Sequence, residues 1–166
     1  MKKRERFCIW LFKTTKTPYA NLKKRPEWGI TRDEMTKYPA GSLGHELGSF
    51  LVENDFQPIP KLENHDVFHL ITNYSTNVED EIALQYFFLG NGKRSLYLIA
   101  VILLGALLFP ETYAHFYTAF KNGKNAIPFH NWDFKQLLEQ PFSAIKESIY
   151  DVKCTDDTFF YASPIY

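Results

Sequence analysis

The chain has 166 residues, of which 45% are hydrophobic and 23% are charged, and its 19 basic side chains balance 19 acidic ones. That length suits one domain able to bury a core, and the composition excludes a disordered, collagen-like or coiled-coil protein. The zero net charge argues against a protein that coats nucleic acid. Two cysteines, Cys8 and Cys154, provide no disulfide framework, so we expect free thiols.

The N-terminal segment is strongly basic. Residues 1–25 hold nine Lys and Arg side chains and one acid, so this segment carries +8 and the remainder −8. Its apolar run, residues 7–12, is too short for the apolar core of a secretory signal. Two interpretations stay open: residues 1–29 lie on a membrane surface, or their helix docks Trp10 and Phe12 on the core. We therefore expect a protein of the cytoplasm or of the cytoplasmic face of a membrane, and not a secreted one.

Capping residues ahead of apolar stripes predict helices in the first half of the chain. Thr31 and Glu34 form a capping box, so a short helix begins at Thr31. Ser42 caps a helix with an apolar face over residues 43–51, and a third helix covers residues 62–73. These signals follow one another without a strand pattern between them.

Helical signals continue in the second half. A second capping box starts a helix at Thr76 that stops near Gly90, and a long helix from about Arg94 is kinked at Pro110. The strongest apolar run, residues 96–109, is fourteen residues long. A helix that spans a membrane needs about 20 residues. We therefore expect a buried helix, or one wall of an apolar cavity.

The end of the chain completes a single all-α domain. Asn131 caps a further helix, and a last helix spans residues 141–150. The prediction is a helical bundle of about six to eight helices over residues 30–150, followed by an irregular tail over residues 151–166.

One stretch combines residue types that bind metal ions. His65, Asp66 and His69 stand on the third helix, and at about 100° per residue their side chains share an arc of about 100°. Two imidazoles and a carboxylate on one face can reach a single divalent cation. Glu81, twelve residues after His69, is a candidate fourth ligand, and the two acids just before it compete by position. The alternative is a polar cluster on the surface of an amphipathic helix.

The motif carries a family resemblance. Residues 65–69, followed after eleven residues by Glu81, resemble the HDxxH-x11-E signature of the Coq-four family of coenzyme Q (ubiquinone) biosynthesis proteins. Residues 39–44 are similar to that family's P-x-G-[ST]-L-G turn, and residues 123–126 to its late G-x-x-A. The resemblance covers roughly residues 30–150.

The resemblance implies a metal-binding protein of quinone biosynthesis. Its one divalent metal is usually zinc. Because zinc supplies no redox step, an oxidative reaction would need iron or another redox metal, or would proceed through a substrate carbanion that reacts with O2 directly. The reaction attributed to the family removes the ring C1 carboxylate of a prenylated precursor and hydroxylates that carbon. The metal ligands, which would also be the catalytic residues, are implied to be His65, Asp66, His69 and Glu81.

The resemblance also implies lipid and protein partners. Prenyl lipid lies in an apolar cavity between helices, and the protein works at a membrane surface as an organiser of the other quinone-biosynthesis enzymes, with a homodimer as a further expectation. No nucleic-acid partner is expected. The cavity wall is predicted from five apolar residues: Phe87, Phe88, Leu96, Ile99 and Leu103.

One departure from the family pattern and two alternative interpretations keep other functions open. Residues 60–64 contain no arginine, whereas the family carries arginines there, so the lipid head group differs or is held differently. An HD-type metal phosphohydrolase would use His45, the pair at residues 65–66, and Asp133 or Asp151. A non-enzymatic isoprenoid carrier or scaffold would use the same metal and cavity without turnover.

Overall fold

The computed structural model describes residues 3–23 and 25–150, and helices joined by turns make up this part of the chain. Within it no strand occurs, although one antiparallel bridge pairs Ser42 with Pro141. The predicted all-α fold of six to eight helices is confirmed, and the predicted irregular tail at residues 151–166 lies outside the described residues. The α-helices are α1 (Lys3–Leu22), α2 (Arg32–Met35), α3 (Leu43–Glu53), α4 (Glu63–Thr72), α5 (Val78–Gly90), α6 (Leu96–Leu108), α7 (Tyr113–Asn125) and α8 (Phe142–Tyr150).

Backbone proximity groups the helices into two units. Of the described residues, the first unit comprises residues 3–17 and 74–130, and the second comprises residues 18–23, 25–73 and 131–150. The first unit therefore holds most of α1 together with α5, α6 and α7. The second holds α2, α3, α4 and α8.

The α5–α7 crossing is the tightest packing in the first unit. A Cβ added at Gly90 would overlap the Phe120 carbonyl oxygen, and one added at Gly123 would overlap the Phe87 carbonyl oxygen. Two backbones approach this closely only where both helices lack a side chain at the crossing. Beside it, the buried rings of Phe87 and Phe88 pack against each other with their centroids 5.5 Å apart.

A buried amide closes the end of this crossing. The Asn91 side chain is 2% exposed, and its Nδ2 donates to the carbonyl oxygens of Gly123 (3.2 Å), Ala126 (3.1 Å) and Ile127 (2.9 Å). Its Oδ1 accepts a hydrogen bond from the Phe129 amide at 3.2 Å. One side chain therefore satisfies the backbone where α7 ends.

Replacing Asn91 with alanine is expected to lower the free energy of unfolding by about 2 kcal/mol, because buried carbonyls and an amide would lose their partner. Urea denaturation followed by circular dichroism measures the change, with Asn125→Ala, at an exposed site on α7, as the control. A change below about 0.5 kcal/mol, the size usual for surface substitutions, would show that the backbone groups find other partners.

The interruption predicted at Pro110 is present, but it is a full break between two helices rather than a kink within one. α6 ends at Leu108, a 3-10 turn covers Pro110–Thr112, and the two helices differ in direction by 104°. Pro110 has no N–H to donate, and its ring excludes the preceding helical turn. Among the described residues no single helix is long and apolar enough to cross a membrane, whereas α6 and residues 110–125 meet that criterion as a bent pair.

The helix predicted from the apolar run forms, but it is not a buried helix. Its buried residues are Leu98, Val101 and Gly105, and a Cβ at Gly105 would overlap the Ile82 side chain of α5. The other side of α6 is exposed. A helix that is apolar on every face gives no sequence signal of which face the neighbouring helix covers.

α1 confirms a helix at the basic N-terminus, but Trp10 does not dock on the core. The Trp10 side chain is 59% exposed, whereas Cys8 is buried as a free thiol whose pKa is raised by burial. Arg4 anchors the helix, because its guanidinium donates to the Leu108 carbonyl oxygen at 3.0 Å and pairs with Glu111. The membrane-surface interpretation of this segment stays a prediction, and Cys154 lies outside the described residues.

In the second unit, the turn at residues 39–44 binds the start of α3 to the chain before α8. The Leu43 amide donates to the Gln140 carbonyl oxygen (2.9 Å), and the Gly44 amide donates to the Leu138 carbonyl oxygen (2.8 Å). These bonds satisfy amides at the first turn of α3, which have no partner within that helix. The turn singled out by its similarity to a family motif thus fixes where α3 begins.

The helix predicted after Asn131 is shorter than expected. Only a 3-10 turn, Phe134–Leu137, forms there, and Asp133 precedes it. Pro141 follows four residues after this turn and disfavours helical backbone at the residue before it. The segment therefore lacks the length for a full α-helix, whereas the last helix forms as predicted from Phe142.

Candidate metal centre

α4 presents the two predicted histidine ligands in adjacent turns. The imidazole rings of His65 and His69 lie 4.8 Å apart between centroids, as expected for residues four apart on a helix. His69 is 3% exposed and stacks on the Phe50 ring, with 6.3 Å between centroids and 15° between planes. Packing therefore fixes the orientation of the buried imidazole.

A buried carboxylate holds the start of α4. Glu63 is 4% exposed, and its Oε1 accepts a hydrogen bond from the Trp28 amide at 2.9 Å. Lys135 Nζ donates to the Trp28 carbonyl oxygen at 2.7 Å, so the same peptide segment is held from both sides. Sequence reasoning missed Glu63 and Phe50 as supports of the histidines, because neither residue type nor spacing distinguishes them from ordinary helix residues.

α5 positions the predicted glutamate in its first turn. The N-cap is Asn77, whose side chain accepts from the Asp80 amide, so the predicted cap at Thr76 is wrong by one residue. Asn77 and Thr76 are both good capping types, and the sequence pattern did not separate them. The shift leaves Glu81 in the first turn of the helix.

Asp80, one of the two competing acids, is committed to the cap of α5. Its Oδ2 accepts from the Ser75 amide (3.1 Å) and hydroxyl (2.7 Å), and its Oδ1 lies 2.7 Å from His115 Nε2. Burial alone would raise the pKa of Asp80, but the hydrogen bonds from Ser75 and His115 hold it below its ordinary value. This carboxylate therefore stays ionised, and both of its oxygens are hydrogen-bonded to neighbouring residues.

Three of the four predicted ligands come together. Single ligand atoms of His65, His69 and Glu81 all lie within 4.8 Å of one another, with His69 buried and the other two half-buried. Two imidazoles and a carboxylate suit zinc with an open coordination position, and they equally suit non-haem iron. The donor set therefore fits one divalent cation. Asp66 is not in this group, and its role as a ligand stays a prediction.

The residues that a phosphohydrolase would need are not gathered in the described part of the chain. The group found there includes neither His45 nor Asp133. His45 Nδ1 lies 3.7 Å from Glu46 Oε1, and Asp133 accepts a hydrogen bond from the Gln136 amide group. Asp151 lies outside the described residues.

Comparison with known proteins decides the family. The family model described as coenzyme Q (ubiquinone) biosynthesis protein Coq4 matches residues 60–152, more than half of the chain. The chain belongs to the Coq4 family. The predicted resemblance is thereby confirmed, and the match contains all four predicted ligands. Membership of the Coq4 family supports a role in coenzyme Q biosynthesis.

A solved structure is similar in fold. It comes from Nostoc punctiforme and carries a provisional name as a ubiquinone biosynthesis protein, and the alignment covers 90% of this chain and 82% of that one, with a TM-score of 0.59 and 20% identity. At that identity the likeness shows the fold alone. No curated protein matches this Coq4-family chain.

The predicted lipid-binding residues occupy two different environments. Phe87 and Phe88 are each 1% exposed, inside the core of the first unit. Leu96, Ile99 and Leu103 lie on the exposed side of α6. Whether any of them contacts a prenyl chain stays a prediction.

Proposed function

We propose that this Coq4-family chain holds one divalent cation through His65, His69 and Glu81 and removes the ring C1 carboxylate of a prenylated precursor in coenzyme Q biosynthesis. The observation that carries the proposal is the cluster of two imidazoles and one carboxylate within 4.8 Å. When bound, a divalent cation would supply Lewis-acid stabilisation of a carboxylate or phenolate oxygen, and a redox metal would add electron transfer to dioxygen, the oxidant that hydroxylation of the ring carbon requires.

The surrounding residues keep this ligand set preorganised. Phe50 fixes the His69 ring by stacking, so little reorganisation is needed to present its nitrogen. The Asp80 carboxylate is occupied by Ser75 and His115, which lowers its competition with the neighbouring Glu81. The chain therefore offers three donors for the cation, and we propose that the substrate carboxylate reaches the same place.

A turnover assay tests the catalytic part of this proposal. The substrate is a prenylated hydroxybenzoate with an isotopic label in its carboxyl group, incubated with protein loaded with zinc, with iron(II), or stripped of metal. We expect labelled carbon dioxide from one loaded form and none from the stripped form. His69→Ala protein, treated identically, is the control for metal bound elsewhere.

Two outcomes would contradict the proposal. Tight binding of the precursor without carbon dioxide release from any loaded form would replace the enzyme with a carrier or scaffold. If protein stripped of metal released carbon dioxide at an unchanged rate, the reaction would not need the metal. In either case the family assignment and the helical fold would stand.

A further inference from the structure

α6 carries an exposed apolar stripe that no described element covers. Its members, spaced three and four residues apart, share one side of the helix. The exposed fractions of the four large side chains are 87% for Leu96, 44% for Ile99, 65% for Leu103 and 77% for Leu107. Together with the exposed Ala100 they form what we call the outer face of α6. Monomeric soluble proteins rarely expose a contiguous apolar surface of this kind.

Helix α1 adds aromatic and basic side chains beside the C-terminal end of α6. The Arg4 guanidinium bonds the Leu108 carbonyl oxygen, pairs with Glu111 and lies 4.8 Å from the centroid of the Phe109 ring, which ties the two helices together. On α1, the exposed rings of Phe7 and Trp10 lie 6.1 Å apart. The exposed basic side chains of the same helix segment are Lys3, Arg6 and Lys13.

Charge distinguishes between two partners that could cover this surface, a second copy of the chain and an anionic lipid surface. The described residues of the first unit hold nine Lys and Arg residues and five Asp and Glu residues, a net charge of +4, whereas the whole chain has zero. A second copy docked on the outer face of α6 would bring two units of +4 together, which costs free energy. An anionic lipid surface would instead be attracted to the same unit.

The chemistry of the stripe also favours lipid. Its five side chains offer no hydrogen-bonding group, whereas protein interfaces of standard size carry several hydrogen bonds and are enriched in aromatic residues and arginine at their core. Aliphatic side chains flanked by Trp and by Lys or Arg are typical of surfaces that enter the boundary between headgroups and acyl chains.

We propose that the outer face of α6 inserts into the headgroup and acyl-chain boundary of an anionic lipid bilayer, with Trp10 and the basic residues of α1 at the headgroups. The binding needs neither the metal nor any reaction at the ligand cluster. It would place a protein of quinone biosynthesis at the surface that holds long-chain prenyl lipids.

Vesicle flotation of the full chain tests the proposal. We expect binding to vesicles of phosphatidylcholine with phosphatidylglycerol, and weaker binding to phosphatidylcholine alone and at high salt. Leu103→Glu should reduce affinity for the anionic vesicles by about tenfold or more, because the stripe could no longer enter the acyl region. Val52→Glu, at a half-exposed position on α3, is the matched control and should bind like the unaltered protein.

Three further measurements make the result decisive. Circular dichroism should show unchanged folding of Leu103→Glu, whose side chain is exposed. Trp10 fluorescence should shift to the blue on the anionic vesicles, and Trp10→Phe, which leaves Trp28 and Trp132 in place, should remove the shift. His69→Ala should still float with the vesicles even where it has lost its metal, so a failure of the metal proposal is separable from a failure of this one.

Two results would overturn the proposal. Equal vesicle binding by folded Leu103→Glu and by the unaltered protein would place the lipid contact elsewhere. A dimer in light scattering that Leu103→Glu converts to a monomer, without vesicle binding by either protein, would assign the outer face of α6 to a second copy.

Discussion

His69→Ala protein is expected to purify without its divalent metal, whereas the unaltered protein carries about one ion per chain. His69 is the buried member of the ligand cluster, and its removal leaves one imidazole and one carboxylate. Two protein ligands are fewer than the three that zinc enzymes use. Elemental analysis after gel filtration measures the ratio, and circular dichroism shows whether the variant keeps its helices.

Companion variants make the metal result specific. Glu81→Gln preserves the shape of the side chain but removes the charge, so it should lose most of the metal as well. His45→Ala removes another histidine that lies outside the cluster and should keep the metal. If His45→Ala lost the metal and Glu81→Gln kept it, the result would favour the phosphohydrolase. An unaltered protein without metal, even after refilling, would exclude the proposed centre.

Asp66→Asn addresses the ligand that the structure leaves outside the cluster. If Asp66 is a ligand as the family resemblance implies, this variant should lose affinity for the metal about as far as Glu81→Gln. If it instead supports α4 from outside the ligand set, affinity should change by about tenfold to a hundredfold, as for residues that orient ligands. The comparison of the two variants therefore decides between the two roles.

Local signals predicted the helices well. Ser42 stands at the start of α3 and Thr31 at the start of α2, and both cap with their side chains as their residue types imply. The four-residue spacing of His65 and His69 is enough to predict that both imidazoles lie on one side of α4, where they are found. These features depend on residues within one or two turns of helix, and local sequence determines them.

Features that depend on distant partners could not be predicted. α6 has apolar residues on every face, so only the position of Ile82 on α5 decides that Gly105 is inside and Leu103 outside. Glu81 was selected from neighbouring acids by the family resemblance, because spacing alone did not exclude Asp80. What removes Asp80 from competition is its hydrogen bonding to Ser75 and to His115, and His115 lies 35 residues away in sequence.

Gly123→Ala is expected to destabilise the chain by about 3 kcal/mol or more, and to prevent folding if total stability is low. The added Cβ would overlap the Phe87 carbonyl oxygen, which belongs to the backbone of α5. A flexible side chain could move aside, but a helix backbone can yield only if α5 and α7 separate. Urea denaturation of the purified protein measures the loss, and the yield of folded protein measures it where the variant does not survive purification.

Two comparisons show whether the cause is the helix crossing. Lys124→Ala, at the next and exposed position of α7, should change stability by less than about 0.5 kcal/mol. Gly90→Ala meets the Phe120 carbonyl oxygen from the opposite helix, so its loss should be similar. Because both changes force the same two helices apart, the double variant should lose less than the sum of the single losses. Additive losses would mean that the two glycines are needed for separate reasons, and a small loss in Gly123→Ala would mean that the crossing is looser than the packed backbones indicate.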